Sequence, residues 1–100
     1  MNRTGKWTPC KFAVKPPDKD GHEIEVSGRE RWALECLIAA GANGCTPITK
    51  PAPRWSAYVH DLRHSHRVPI ETVHEAHQGD FPGTHARYVL RCDVSPVGGV

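Results

Sequence analysis

Thr46 to His66 reads TPITKPAPRWSAYVHDLRHSH, a proline-bounded turn that runs into an amphipathic segment. Thr46-Pro47 offers an N-cap followed by proline at the first helical position, so a helix can start there. It cannot run far, because Pro51 disfavours helical geometry at Lys50 and Pro53 does the same at Ala52. One turn is the most expected. Pro53 can then open a longer helix in which Trp55, Val59 and Leu62 form the inward stripe, with Tyr58 at its edge. That phase leaves Arg54, Ser56, Ala57, His60, Asp61 and His64 pointing outward, with Arg63 near the boundary.

On the N-terminal side, Ser27-Gly28-Arg29-Glu30 has the spacing of a capping box, which predicts a helix beginning there. Trp32, Ala33, Cys36, Leu37 and Ala40 share one face of it, and Leu34 and Ile38 lie on a second flank. So wide a stripe needs two covering layers. The later helices can supply one, and a hairpin presenting Phe12, Val14, Ile24 and Val26 the other. CKFAV and EIEV alternate as strands do, and the Pro16-Pro17 pair and Asp20-Gly21 between them belong to a loop. Gly41 stands where a left-handed helix cap is wanted, and Asn43-Gly44 continues the turn.

On the C-terminal side, Val68 to Ala76 and the stretch THARYVLRCDV read as two strands. His77-Gln78-Gly79-Asp80-Phe81-Pro82-Gly83 is rich in turn residues, which predicts a hairpin with a loop longer than two residues. The tail SPVGGV gives no reason for order, and residues 1 to 9 read as a loosely attached arm. The expected organisation is an arm and β-hairpin over residues 1–26, a main domain over 27–94 and a disordered tail over 95–100.

One hundred residues fit one domain with a modest core. No apolar run approaches the roughly 20 residues needed to span a bilayer, and the first residues lack the apolar core of a signal peptide, so a cytoplasmic protein is expected. Cys10, Cys36, Cys45 and Cys92 form no CxxC pair, which favours reduced, buried thiols over a structural metal site. The net charge of +2 announces no nucleic-acid binder by itself, but its distribution is uneven. Residues 27–66 carry Arg29, Arg31, Lys50, Arg54 and Arg63 against Glu30, Glu35 and Asp61, whereas the remainder to residue 100 is slightly acidic.

A helix, a tight turn, a second helix with an exposed polar face and a β-hairpin compose an α+β winged helix-turn-helix, here with an additional N-terminal β-hairpin. The outward face of the helix from Pro53 suits the major groove of duplex DNA, which is about 12 Å wide. RWALECLIAAGANGCT, RWSAYVHDLRHSHRVPIETVHE and ARYVL together resemble the small winged helix-turn-helix proteins of prophages and proteobacterial genomes. The resemblance covers roughly residues 30 to 92 and implies a DNA-binding transcriptional or phage-related regulator. Two departures from that pattern are the Pro51-Ala52-Pro53 break and His64-Ser65-His66, which stands where such proteins have a glycine-containing turn.

Candidate DNA contacts follow from the helical phase. Lys50 and Arg54 suit phosphate or guanine, and Ser56, His60 and His64 face outward for bases. Arg63 can reach DNA or pair with a carboxylate such as Glu71 or Glu75. His77, His85 and Arg87 are the candidates on the wing, and Trp55 is expected in the core rather than as a stacking platform. His60 and His64 have a spacing that suits zinc when further ligands arrive, but none is evident nearby, so unbound histidines are expected, with no metal and no cofactor. No nucleotide-binding, hydrolase or metalloprotease motif occurs, so no catalysis is expected. The partner implied is double-stranded DNA, without a membrane, with the hairpin as the candidate homodimer surface. The rival expectation is a protein-interaction adaptor on the same fold.

Overall fold

Alternation of inward and outward residues in CKFAVK and HEIEV produces β1 (Cys10–Lys15) and β2 (His22–Val26), paired antiparallel with Phe12 opposite Ile24 and Val14 opposite His22. In this computed structural model the described residues are 8–47, 54–77 and 83–97. β1 is not an edge strand. Its other side pairs with β5 (Asp93–Pro96), Val94 opposite Val14 and Pro96 opposite Phe12, giving a sheet in the order β2-β1-β5.

Two expectations are corrected here. Ser95 and Pro96 belong to a strand rather than a disordered tail, and the N-terminal hairpin is part of a sheet closed by the C-terminal end of the chain. Four residues with one buried apolar side chain, Val94, carry no readable periodicity; their order comes from the ladder to β1, and proline is tolerated because β5 is an edge. The hairpin's Phe12, Val14, Ile24 and Val26 are all buried in the chain's own core, so they provide no outward apolar surface for a homodimer.

Helix α1 (Gly28–Ala40) buries Ala33, Leu34 and Leu37, while Trp32, Cys36, Ile38 and Ala40 pack half-buried around them. Ser27 is its N-cap, but the reciprocal side-chain bonds of a capping box are not made. Gly28 enters the helix at φ +59°, and Glu30 is drawn instead toward Asp61 and His66. At the other end Gly41 caps with φ +58°, its N–H donating to Leu37 O, as its position in the sequence predicts. A single 3-10 turn, Gly41–Asn43, follows.

Cys45 then exchanges two backbone hydrogen bonds with Tyr88, each 2.8 Å. Tyr88 lies in β4 (Gly83–Leu90), which pairs antiparallel with β3 (Ile70–His77) from Ile70 opposite Leu90 to His77 opposite Gly83. β3 starts two residues later than its composition suggests, because Val68 N–H is bonded to Leu62 O and Pro69 has no N–H for a ladder. The turn between β3 and β4, residues 78–82, lies outside the described residues. So does most of the expected one-turn helix after Thr46; Thr46 itself is buried.

Helix α2 (Trp55–His64) keeps the predicted phase, with Trp55, Val59 and Leu62 buried and Arg54, Ser56, His60 and His64 exposed. Its exit contains the one non-glycine residue with positive φ among those described, Arg67 at +56°. The left-handed step that a glycine-containing turn would supply is therefore taken by arginine, three residues past the helix. None of the four cysteines is in a disulfide.

Gly44 is the tightest of the glycines compared among the described residues. It sits at φ +70°, ψ −178°, a region essentially confined to glycine, and an added Cβ would lie 2.6 Å from Tyr88 O and 2.8 Å from Val89 Cγ2. Gly44→Ala is expected to destabilise the fold by about 2–4 kcal/mol in urea denaturation, through strain plus overpacking at the Cys45–Tyr88 bridge. A loss below about 0.5 kcal/mol would show that the bridge tolerates displacement.

Candidate nucleic-acid interface

The position of α2 is set by one side chain. Trp55 lies between Trp32 of α1, ring centroids 5.3 Å apart, and Tyr88 of β4, stacked at 5.9 Å and 21°. Only 3% of Trp55 is exposed, so it is a core residue as expected. With Val59 and Leu62 one and two turns later on the same face, the opposite face of the helix must look outward, and Ser56, His60 and His64 form an exposed row along it. Arg54 is exposed immediately before the helix.

Asp61 is not on that row. It faces Glu30 across the α1–α2 interface, in a cleft also lined by Ser27, Arg29, Arg54, Ala57 and Tyr58. Arg29 of α1 and Arg54, the N-cap of α2, both line this cleft, which a single helical wheel cannot reveal because they belong to different helices. Its carboxylates partly offset those cations. The Glu30 carboxyl is held above the ordinary glutamate range by burial first, then by the hydrogen bond and charge of Asp61, against the opposing pull of His66, whose Nε2 lies 3.3 Å from Glu30 Oε1.

The other nominated residues divide clearly. Arg63 turns away from the exposed row and holds the start of β3: its guanidinium donates to Ile70 O at 2.7 and 3.1 Å and to Thr72 Oγ1 at 2.9 Å. The expected partners, Glu71 and Glu75, are engaged elsewhere. Glu71 pairs with Arg91, and Glu75 with Arg87 at 2.7 Å and His85 at 3.3 Å. Arg87 also donates to Asn43 O at 2.6 Å, tying β4 to the turn after α1. Arg87, first through its hydrogen bond, holds the Glu75 carboxyl below its ordinary range. Lys50 lies outside the described residues; His77 is the last residue of β3 before residues 78–82.

Burial, then the neighbouring Asp93, pushes the Cys92 thiol up, away from reactivity. Among the described residues no three His, Cys, Asp or Glu side chains gather as a metal site, and no helix is long and apolar enough to cross a membrane.

A one-residue bridge at Cys45 to β4, then an outward-facing helix, then the β3–β4 hairpin follow α1 in chain order, a helix followed by its wing. A family model described as a winged helix domain matches residues 23–100. The chain belongs to that winged helix family. The match takes in β2 and extends through β5, beyond the roughly 30 to 92 of the sequence resemblance. No curated protein matches the chain, and no solved structure does.

The raised Glu30 carboxyl has a defined consequence. A folded-state value above the unfolded one means that the folded chain prefers protonated Glu30, so its stability contribution is fully present below the ordinary glutamate value and is lost as pH rises through the raised one. Glu30→Gln should therefore melt near wild type at about pH 4 and gain relative to it by about pH 7. A variant that loses Tm relative to wild type at pH 7 would assign Glu30 a net favourable pairing with His66.

Proposed function

We propose that this winged helix domain binds double-stranded DNA and acts as a transcriptional or phage-associated regulator. The observation that carries the reading is the phase of α2: its apolar stripe is wholly buried, and a row of hydrogen-bonding side chains, Ser56, His60 and His64, is left exposed on a helix about 15 Å long. In this mechanism Arg54, with Lys50 and Arg29, positions phosphates at the start of the helix, and the row reads base edges. His77 and the β3–β4 turn would follow the adjacent backbone. His85 and Arg87 support the wing through Glu75, and Arg63 supports it through Ile70 and Thr72. The exposed hairpin residues Lys11, Glu23 and Glu25 are charged, which favours binding as a monomer over dimerisation through the hairpin.

A protein-docking role on the same fold is the second reading, and one observation favours it. Arg63 and Arg87, which would otherwise supply cations to DNA, are engaged inside the chain.

Fluorescence anisotropy with duplex DNA across a salt series separates the two. A DNA binder shows log affinity falling steeply with log salt, and Arg54→Ala weakens binding at every sequence and lowers the slope by about 1. Arg63→Ala should instead cost about 1.5–3 kcal/mol of folding stability, because it leaves carbonyl and hydroxyl partners unmade. No binding at low salt would favour protein docking.

A further inference from the structure

Three of the six histidines with described side chains have an internal role, and His74 is exposed on β3. His22 Nε2 contacts His66 O at 2.8 Å, His66 lies against Glu30, and His85 lies against Glu75. His60 and His64 differ. Both are exposed, and among the described residues neither ring is engaged by a carboxylate or a carbonyl, yet they lie against each other with centroids 4.4 Å apart and planes tilted by 41°. Side chains four apart on a helix start about 5–6 Å apart at Cβ, so these rings lean together. Two zinc–imidazole bonds of about 2.0–2.1 Å at a tetrahedral angle would set the donor nitrogens about 3.3 Å apart. A centroid separation of 4.4 Å is compatible with a donor span of that size.

We propose that His60 and His64 chelate a borderline divalent cation, Zn(II), Ni(II) or Cu(II), in a two-imidazole site with open coordination positions on the exposed face of α2. The donor set selects the ion class: imidazole suits these metals, whereas Mg(II) and Ca(II) require oxygen ligands. The helix supplies the spacing, because α2 is held from its opposite face by Trp55, Val59 and Leu62. Among the described residues no third ligand closes the site, so water completes the shell and the ion exchanges readily, unlike a structural zinc. The site adds an exposed dication to the row that carries Ser56. It does not depend on the DNA-binding reading, since the chelate is complete within one helix.

Calorimetric titration of Zn(II) and Ni(II) chlorides into the full chain, without DNA and with the thiols kept reduced by a phosphine, tests the site. The expected result is one ion per chain and no heat from Mg(II). His60→Ala and His64→Ala should each weaken binding at least tenfold with unchanged helical circular dichroism, while His74→Ala leaves it unchanged. Equal affinity in wild type and either variant would overturn the proposal, as would a stoichiometry of one ion per two chains. DNA affinity measured in chelator-treated buffer reports on the other reading alone, so each can fail without the other.

Discussion

The stack of Trp32, Trp55 and Tyr88 is the contact on which the geometry depends, because it joins α1, α2 and the wing strand through one buried indole. Aromatic pairs add about 0.5–1.5 kcal/mol each beyond the area they bury, and three rings in series fix orientation as well as energy. The same Tyr88 gives its backbone to Cys45. One residue thus sets both the height of the helix above the hairpin and the path of the chain leaving α1. Gly44 is required beside it because no side chain fits between the two strands.

Charge in this domain has mostly structural work. Arg31 binds Glu35 at 2.7 Å and Thr8 O at 2.7 Å, Arg63 holds the first residues of β3, and Arg87 links Glu75 with Asn43. Apart from Arg31–Glu35 within α1, these ties are inter-element, so their value lies in register more than in net stability, surface ion pairs contributing about 0–1 kcal/mol. Around α2, the described cations left exposed are Arg54, Arg29 and Arg67, beside a short polar row.

Much of this was legible in the residues. Trp55, Val59 and Leu62 repeat at helical spacing and are all buried; Phe12, Val14, Ile24 and Val26 alternate and are all buried; Gly41 has the left-handed backbone its place implies. The failures share a cause. Asp61 was assigned outward because a helical wheel knows nothing of Glu30 on another helix, and the Ser27 capping box lost its glutamate to that same contact. β5 was missed because its order is borrowed from β1 across most of the chain. Arg63 was correctly placed at the boundary of the stripe, but its partner is a backbone carbonyl, which no side-chain pattern announces.

The sheet order β2-β1-β5 places the first described strand in the middle, flanked by the second and the last. During synthesis the N-terminal hairpin can form early, yet the edge of β1 stays open until Asp93 to Pro96 have emerged from the ribosome. Long-range pairing of this kind is slow and leaves apolar strand surface uncovered meanwhile. The nascent chain therefore carries β1 with one edge open through synthesis of both helices and the β3–β4 hairpin, and only the strand after that hairpin closes the sheet.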